Sequence, residues 1–369
     1  MKKLVYIYSD VDSSHLIEAI ARFTDKSKFE MSHIFLGRDT PALVEKLRRE
    51  NFETDFIRCA GKKDLPRVAL ELARRFRRAK PDIVHTNLFN AQAAGLVAAR
   101  FANVKQRVHT RHHSIEAHKY NPHAVYYDHV FNRLSTDIVA ITEMVRDVLV
   151  NQENVDPRKV AVVRHGFDWQ FFDRALENGV DLKPKYELEN HFPIVGAISR
   201  LIHWKGIQYT VPAFKKLLAD FPRAKLVIAN ATGAYRPEIE RLLAELPAKS
   251  YKLIEFERDV FSLYKTFDVF VHAPIGREYE AFGQTYVEAL AMRVPSVFTL
   301  SGVAPDFIKN EENALVVPFC DADAIYNQVK RILNDDRLRR KLIENGRKSV
   351  RETFFAGRMA AELERVYLK

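Results

Sequence analysis

Short apolar runs alternate with amphipathic segments along almost the whole chain. The runs KLVYIYS at 3–9 and PDIVHT at 81–86 have the length of strands, and they precede segments such as 14–23 and 91–102 whose apolar residues recur at helical spacing. Strands that alternate with helices in this way are typical of parallel sheets built from β-α-β units. The pattern therefore predicts an α/β fold.

The alternation pauses once, between 168 and 192, where the sequence has mixed charge, glycine and proline. A chain of 369 residues also exceeds what one hydrophobic core usually organises. We therefore expect two doubly wound, Rossmann-like domains that face each other across a cleft, which is the default ligand site because ligands bind outside the carboxyl ends of the strands. The expected parts are a first domain at 1–167, a linker at 168–192, a second domain at 193–350 and a C-terminal helix at 351–369 that crosses back to the first domain.

The sequence does not favour a membrane-spanning or metal-binding protein. No apolar stretch approaches the roughly 18 residues of a spanning helix, and the first apolar run is too short for a signal peptide. Cys59 and Cys320 lie far apart. Six of the thirteen histidines lie between His109 and His129, but no His-x3-His pair on a clear helix is joined by further ligands. We expect a soluble protein of a reducing cytoplasm, and the spacing of these residues does not support a metal site.

The net charge of +10 is concentrated in one segment. Residues 58–80 contain nine basic and two acidic side chains, a local charge of +7. In the helix predicted at 67–79 the apolar residues share one face, and the arginines around the other face are Arg67, Arg74, Arg75, Arg77 and Arg78.

Two interpretations of this basic helix stay open. It is either a solvated face of a helix packed on a sheet, or a surface that meets anionic lipid headgroups, which attract each nearby Lys or Arg by about 1 kcal/mol. The second interpretation would place the protein peripherally on the inner face of the plasma membrane. Nucleic acid is a weaker candidate, because no recognised binding motif accompanies the basic residues.

Basic side chains follow one strand predicted in the second half of the chain. Arg200 comes directly after the strand, and Lys205 and Gly206 open the next helix. This arrangement suits a diphosphate, because backbone N–H groups, the helix dipole and side-chain charge act together at a helix start. By itself the signal is weak, since cations in such positions are commonly surface residues.

Two acids, Glu280 and Glu288, follow a later strand and lie eight positions apart around Gly283. If one helix carried both, they would be about 12 Å apart at 1.5 Å per residue, the scale of a nucleotide sugar. One acid could then accept the hydroxyls of a sugar and the other those of a ribose. The alternative for Glu288 is a solvent-facing helix residue, but its neighbours are apolar, and a half-buried acid needs a partner.

These segments resemble motifs of the retaining, GT-B-fold glycosyltransferases of family 4. The strongest match is EAFGQTYVEALAMRVP at 280–295, which is similar to the Glu-x7-Glu signature of that family. Further segments match in the expected order, and they are KPDIVHTNLFNAQAAGLVAA at 80–99, the histidine loop HTRHH at 109–113, DIVAITEMVRDVLV at 137–150, VVRHGFDWQFF at 162–172 and the diphosphate segment at 199–217. Several independent matches in order are more specific than any one alone.

The resemblance implies a first domain that binds the acceptor and a second that binds the donor. It implies that Arg200 and Lys205 bind the donor diphosphate, that Glu288 binds the ribose, and that Glu280 contacts the transferred sugar. The implied donor-binding residues are Arg200, Lys205, Gly206, Glu280, Phe282, Gly283 and Glu288. It also implies transfer that uses no metal and no other cofactor and that retains the anomeric configuration.

The same resemblance places a catalytic histidine on the acceptor side. The family pattern of Thr, one residue, then His falls on Thr110 and His112, so His112 is the predicted residue and His113 the second choice. With Glu280, Arg200 and Lys205 it completes the predicted catalytic set.

The sequence departs from the family pattern in both predicted domains. Ser9 and Asp10 stand where the family usually has Gly-Gly, which leaves the acceptor contacts of that turn open. Arg293 replaces a small residue before the last proline of the signature, and Asp306 replaces a Glu.

We therefore predict a glycosyltransferase that moves a sugar from a nucleotide diphosphate donor to a saccharide or lipid-linked acceptor, in polysaccharide, lipopolysaccharide or glycolipid biosynthesis. On the acceptor or membrane side we expect Ser9, Asp10, Arg74, Arg75, Arg77 and Arg78. One alternative is a sugar-nucleotide epimerase of the same fold. Another is a non-catalytic protein that binds a sugar nucleotide or a membrane. Release of nucleotide only in the presence of an acceptor would separate the transferase from the epimerase, and slow hydrolysis of the donor would count against the non-catalytic protein.

Overall fold

The chain forms two compact units. The computed structural model describes the backbone of residues 1–369 and every side chain except those of Glu116 and Ala117. Unit 1 contains Met1–Asp168 and Phe354–Lys369, and unit 2 contains Trp169–Thr353. Each unit has its own sheet and its own hydrophobic core.

Unit 1 is built on a seven-stranded sheet whose neighbouring strands are all parallel. In chain order its strands are β1 (Lys2–Ser9), β2 (Phe29–Gly37), β3 (Glu53–Arg58), β4 (Ile83–Asn87), β5 (Gln106–Arg111), β6 (Asp137–Ala140) and β7 (Val160–Val162). The spatial order is β3-β2-β1-β4-β5-β6-β7. The connecting helices are α1 (His15–Phe23), α2 (Ala42–Arg49), α3 (Leu65–Ala79), α4 (Phe89–Phe101), α5 (Glu116–Tyr120), α6 (Pro122–Leu134) and α7 (Glu143–Asp147), which a π-helical turn extends over Val148–Gln152.

The position of β1 within the sheet explains why its sequence is an unbroken apolar run. It lies inside the sheet, between β2 and β4, and both of its faces are covered. Tyr6 and Tyr8 enter the core that includes α1 and α2, while Val5 and Ile7 enter the core that includes α3 and α4. A strand of a parallel sheet buried on both faces needs apolar residues at successive positions, not only at alternate ones.

Unit 2 repeats the same plan with six parallel strands. Its strands are β8 (Ile194–Ile198), β9 (Lys225–Ala229), β10 (Tyr251–Ile254), β11 (Val269–His272), β12 (Ser296–Phe298) and β13 (Leu315–Val316), in the spatial order β10-β9-β8-β11-β12-β13. Its helices are α8 (Trp169–Asn178), α9 (Ile207–Asp220), α10 (Arg236–Leu243), α11 (Val260–Tyr264), α12 (Gln284–Ala291), α13 (Ala322–Asn334) and α14 (Asp336–Thr353). Both units are Rossmann-like, as predicted.

The strand order reverses once in each sheet, between β1 and β4 in unit 1 and between β8 and β11 in unit 2. Ligands of doubly wound sheets bind at the carboxyl ends of the strands on either side of such a reversal. The residues that follow β1, β4, β8 and β11 are therefore the first places to look for a site.

The unit boundaries differ in detail from the expected ones. The stretch 168–192, expected to be a linker, contains α8, and from Trp169 onward it belongs to unit 2. Helix α8 is held there because it buries Trp169 and Phe172, and Phe172 packs edge-on against Phe261 with ring centres 5.2 Å apart. At the C-terminus α14 ends at Thr353, and the last helix, α15 (Ala356–Tyr367), belongs to unit 1.

Candidate active site

The turn after β8 places two basic side chains before the start of α9. Arg200 is exposed, and Lys205 ends a 3-10 turn that leads to Gly206 with φ of 75°. A Cβ atom at Gly206 would lie 1.8 Å from the carbonyl oxygen of Ala273, so no other residue fits against the segment after β11. The start of α9 and two cations thus belong to one edge of the sheet, which is a favourable site for an anion.

Glu280 lies in the loop after β11 and is buried. One carboxylate oxygen, Oε1, accepts a hydrogen bond from Lys205 Nζ and another from His272 Nε2, the latter at 3.1 Å. Burial alone would raise the pKa of Glu280, but the charge of Lys205 and the hydrogen bond from His272 outweigh it and lower the pKa to about 2. Glu280 is therefore ionised throughout the neutral range.

His272, the last residue of β11, supports this carboxylate in its neutral form. Its ring is buried, and burial lowers its pKa even though Glu280 acts in the opposite direction. A neutral imidazole that donates from Nε2 holds Glu280 in place without adding a second positive charge beside Lys205.

Glu288 lies on α12, and its pKa shifts in the opposite direction to that of Glu280. It is half-buried, and Tyr264 donates its hydroxyl to Glu288 Oε2 at 3.0 Å. Burial raises the pKa of Glu288 to about 7, and the hydrogen bond from Tyr264 only partly offsets that effect. This carboxyl group changes its charge near neutral pH, whereas Glu280 does not.

The two acids do not share one helix. Helix α12 begins at Gln284, and its N-cap is Gly283 with φ of 82°, so Glu280 lies outside the helix. The separation of about 12 Å at helical rise therefore does not apply. Phe282 is buried, and its carbonyl oxygen accepts from the Val303 N–H at 3.0 Å, which fixes the backbone at the start of α12.

In unit 1, the two adjacent histidines after β5 have different partners. His112 is half-buried, and its Nε2 lies 3.0 Å from Asn87 Oδ1 at the end of β4. Burial lowers the pKa of His112 to about 4, so the ring is neutral at pH 7. His113 instead places its Nε2 3.0 Å from Asp128 Oδ2. His112 is thus the histidine that lines the carboxyl edge beside the strand reversal, together with Asn87.

Ser9 and Asp10 end β1 at the same edge. Ser9 is buried, and its hydroxyl has no hydrogen-bond partner among the described residues. Asp10 adopts φ of 55°, and its Oδ2 accepts from Asn90 Nδ2 at 2.9 Å. The turn where the family usually has two glycines is therefore tied to the start of α4 by a polar contact.

Two family models match the chain and together span most of it. The model described as Glycosyltransferase Family 4 matches residues 16–171, and the model described as Glycosyl transferases group 1 matches residues 181–349. The chain belongs to the family 4 glycosyltransferases. The resemblance drawn from the motifs is confirmed at the level of the family, and the two Rossmann-like units are those of the GT-B fold.

Two of the curated relatives of this glycosyltransferase are bacterial enzymes of glycan synthesis by their names. Over 301 residues it is 29% identical to the capsular polysaccharide biosynthesis glycosyltransferase CapM of Staphylococcus aureus, covering 79% of this chain and 78% of that protein. Over 307 residues it is 23% identical to the UDP-Gal:alpha-D-GlcNAc-diphosphoundecaprenol alpha-1,3-galactosyltransferase of Escherichia coli, covering 81% of this chain and 78% of that one.

Solved structures share the fold over nearly the full length of the glycosyltransferase. A glycosyltransferase from Rickettsia africae ESF-5 matches with a TM-score of 0.78 at 22% identity, covering 99% of this chain and 97% of the other. HepE of Anabaena in complex with UDP-glucose matches with a TM-score of 0.80 at 16% identity, covering 98% of each chain.

The basic helix of the glycosyltransferase is α3, and its arginines are not equivalent. Arg74, Arg77 and Arg78 are exposed, whereas Arg75 forms ion pairs with Asp55 and with Glu71. Helix α3 follows the carboxyl end of β3 and returns to the amino end of β4, so its last two turns lie toward the amino edge of the sheet. These arginines are thus at the opposite edge of unit 1 from His112.

In the described part of the glycosyltransferase, none of the helices combines the length and the apolar character needed to cross a bilayer. Among the described side chains, no group of three or more His, Cys, Asp or Glu residues is arranged to hold a metal ion.

Sequence reasoning missed Asn87, the partner of His112 in unit 1, and His272 and Tyr264, the partners of the two acids in unit 2. Asn87 and His272 are each the last residue of a strand next to the strand reversal, so their position alone was a signal that could have found them. Tyr264 ends α11 and gave no such signal, because its contact with Glu288 depends on how two helices pack.

Proposed function

We propose that this protein transfers a sugar from a nucleoside diphosphate donor to a hydroxyl group of a saccharide or lipid-linked acceptor, with retention of the anomeric configuration. The observation that carries the proposal is the group in unit 2 formed by Arg200, Lys205 and the start of α9 with Glu280 and Glu288. It combines an anion site with two carboxyl groups of different charge behaviour, which suits a diphosphate linked to two hydroxyl-bearing sugars. Family membership supports the reaction class.

Negative charge develops on the diphosphate as the bond to the sugar breaks. Arg200, Lys205 and the N–H groups of α9 are preorganised donors for that charge, and such donors commonly supply a large share of rate acceleration. Lys205 is paired with Glu280 in the structure. A bound phosphate would compete for Lys205, while His272 keeps Glu280 in place to accept hydroxyls of the transferred sugar.

Glu288 is the proposed partner of the ribose. Its carboxyl group already accepts one hydrogen bond from Tyr264, which orients it, and its ionised form can accept two more from vicinal hydroxyls. Complexes of HepE with UDP and UDP-glucose support a nucleotide-sugar donor for this chain too.

The acceptor side of the proposal rests on His112. A neutral imidazole at the carboxyl edge of unit 1 can accept a proton from, or donate a hydrogen bond to, a reacting hydroxyl. The names of CapM and of the galactosyltransferase support a role in the synthesis of a polysaccharide, lipopolysaccharide or glycolipid. We propose that no metal takes part, because Arg200 and Lys205 can serve as the counter-charges of the diphosphate.

A thermal-shift screen of UDP, GDP and ADP sugars is the first test. A ligand at about 100 times its dissociation constant stabilises the folded state by about 2.7 kcal/mol, so the right nucleotide should stand out from the others. The selected donor is then incubated with and without candidate acceptors, and the anomeric configuration of the product is read by NMR. No stabilisation by any nucleotide diphosphate would contradict the proposal, and an inverted product would contradict retention.

The same assay separates the two alternatives. A sugar-nucleotide epimerase would convert the donor sugar without an acceptor, and a non-catalytic binding protein would be stabilised by a nucleotide without turning the donor over. The matches to glycosyltransferase family models do not favour either alternative.

A further inference from the structure

A cluster of buried charged side chains surrounds the end of β5 in unit 1 and takes no part in the chemistry described above. We call it the Arg111 cluster, and its members are Arg111, His113, His118, Asp128, Asn132 and Glu153. At its centre the side chains of Arg111, Asp128 and Glu153 are only 1%, 6% and 0% exposed. Charged groups are buried so completely only when they are paired and hydrogen-bonded.

Arg111 connects the two carboxyl groups. It contacts Glu153 through two guanidinium nitrogens, with Nη1 3.2 Å from Oε2, and its Nη2 lies 3.1 Å from Asp128 Oδ2. The remaining nitrogen, Nε, donates to the carbonyl oxygen of His113 at 3.3 Å. A bidentate guanidinium-carboxylate pair is geometrically restrictive, so Arg111 has little freedom to shift.

The other donors of the cluster reach the same two carboxyl groups. His113 Nε2 lies 3.0 Å from Asp128 Oδ2, and His118 Nε2 lies 3.1 Å from Glu153 Oε1. Asn132 donates to Glu153 Oε2 at 2.7 Å. Three parts of the chain that are distant in sequence are joined in this way: the segment from Arg111 to His118, helix α6, and the residue that follows the π-helical turn after α7.

His112 lies between two residues that this cluster holds. Its neighbour Arg111 is held by its guanidinium group, and its neighbour His113 by both its ring and its carbonyl oxygen. His112 itself points to a different partner, Asn87. The contacts of Arg111 and His113 within the cluster therefore fix the backbone on each side of His112, and the imidazole of His112 faces the carboxyl edge of the sheet.

Stability alone is a poor explanation for such a cluster. Replacing a buried ion pair by apolar side chains of similar volume is often neutral or stabilising, because the desolvation of the charges offsets their attraction. Fixed geometry is what an apolar replacement would not supply.

We propose that Asp128 and Glu153 are positioning residues for His112, acting through Arg111 and His113. The proposal rests on the proposed function, in which His112 acts on the acceptor side. His113, the second choice from the sequence, is then a positioning residue and not the catalytic histidine.

Two variants of His113 of similar size test this assignment. His113→Gln keeps an N–H donor for Asp128, and His113→Leu removes it. With the donor selected from UDP, GDP and ADP sugars, we expect His113→Leu to lower kcat at least about tenfold while the donor KM changes less than about twofold, and His113→Gln to keep at least about half of the kcat. His129→Gln, an exposed position on α6, is the matched control and should behave as the wild type.

Each other result overturns the assignment in a distinct way. Equal loss in the Gln and Leu variants would mean that His113 itself takes part in the chemistry. Wild-type kcat in His113→Leu would mean that its contact with Asp128 positions nothing. If His113→Leu does not fold, Asp128→Asn, which keeps the shape of the side chain, is measured instead and is expected to lower kcat in the same direction.

A second measurement does not depend on turnover. Diethyl pyrocarbonate modifies histidine rings. The rate of modification at His112 can be followed by treating the full-length protein and then analysing its peptides by mass spectrometry. We expect this rate to rise several-fold in His113→Leu and in Asp128→Asn but to stay unchanged in His113→Gln and His129→Gln. An unchanged rate in all variants would overturn the positioning role even if no sugar nucleotide is turned over, whereas absence of turnover in the wild type alone would overturn only the proposed function.

Discussion

Glu280 and Glu288 show how much the surroundings of a residue decide its chemistry. Glu280 precedes α12 and Glu288 lies within it. Burial acts to raise the pKa of both, but the charge of Lys205 outweighs burial and lowers the pKa of Glu280 to about 2, whereas the pKa of Glu288 rises to about 7 because the hydrogen bond from Tyr264 only partly offsets burial. A cation close to the buried group is the difference between them. At neutral pH the site therefore has one fixed negative charge and one that responds to pH or to a ligand.

The first prediction concerns the basic residues of the diphosphate site. Arg200→Ala or Lys205→Ala should lower transfer at least about tenfold, because one lost contact to a charged group costs about 1.5 to 3 kcal/mol. Steady-state kinetics with the selected donor measures this. Lys216→Ala removes a lysine of α9 that pairs with exposed Asp323 and is the matched control. Wild-type rates in both Arg200→Ala and Lys205→Ala would rule out the diphosphate site.

The second prediction concerns pH and Glu288. If the ribose binds the ionised carboxylate, bound nucleotide lowers its pKa, so affinity should fall about tenfold between pH 8 and pH 6. Glu288→Gln should bind the nucleotide more weakly and lose this dependence, and Glu280→Gln should instead reduce turnover with little effect on binding of the nucleoside diphosphate. Calorimetry across this pH range with UDP, or with the nucleotide that the screen selects, measures both. The reverse pattern in the two variants would show that the two carboxyl groups are assigned the wrong way round.

The same shift has a consequence for folding stability. Because the folded pKa of Glu288 lies above its ordinary value near 4.5, the folded state loses stability as pH rises from about 4.5 through about 7. Glu288→Gln should therefore unfold at a higher temperature than the wild type at pH 8 and at a similar one at pH 4.5. An equal shift at both pH values would show that packing, not ionisation, causes the difference.

At the scale of elements, α3 carries the largest local excess of charge. Its buried side is apolar through Val68, Leu72 and Phe76, so the helix is held to the sheet without its arginines. Arg75 is engaged with Asp55 and Glu71, which leaves Arg74, Arg77 and Arg78 as the exposed charges toward the amino edge of the sheet. A membrane bound there would hold the protein without contacting the carboxyl edge of unit 1.

The third prediction tests this surface. We expect co-sedimentation with vesicles that contain anionic lipid but not with purely zwitterionic ones, because anionic headgroups attract each basic residue by about 1 kcal/mol. Binding should weaken as salt rises, because ions screen this attraction. The triple variant Arg74→Ser, Arg77→Ser and Arg78→Ser should abolish binding without changing the affinity for nucleotide.

A control variant with the same loss of charge lies in unit 2. Arg337, Arg340 and Lys341 are exposed on α14, and their replacement by Ser should leave vesicle binding intact. Equal loss in both variants would show that net charge, and not α3, is responsible. Equal binding of the wild type to neutral vesicles would favour the other interpretation, in which α3 presents a solvated helix face.

At the scale of the whole molecule, unit 1 is completed by the last helix of the chain. Helix α15 buries Met359, Leu363 and Tyr367 in the core that β1 also enters. The hydroxyl of Tyr367 is hydrogen-bonded to that of Tyr6 and lies 2.6 Å from His85 Nδ1. The core of unit 1 therefore needs both ends of the chain.

The fourth prediction concerns this contact. Tyr367→Phe keeps the ring but leaves polar atoms of Tyr6 and His85 buried without it, so the free energy of unfolding should fall by about 1 to 3 kcal/mol. Urea denaturation measures the change. Tyr326→Phe, which removes a hydroxyl bonded to Asp220 at the surface, is the control and should change stability by less than about 0.5 kcal/mol. Equal effects would mean that the buried network contributes nothing specific.

The sequence by itself determined the elements and the reaction class. Alternating strands and helices predicted two parallel α/β sheets, and the signature at 280–295 with Arg200 and Lys205 indicated the family. These features are local, since a strand, a helix start or a motif depends on residues close together in the chain. The separation of about 12 Å between Glu280 and Glu288 held only if one helix carried both acids, and α12 begins at Gln284, which leaves Glu280 outside the helix.

Only the tertiary structure decided which side chains meet. Lys205 and Glu280 are 75 positions apart, Arg111 and Glu153 are 42 apart, and Tyr6 and Tyr367 are 361 apart. Such contacts follow from the order and register of strands and from the packing of helices on them, which no local pattern encodes. The same packing sets the pKa of each glutamate, because burial and the distance to a cation are properties of the folded chain.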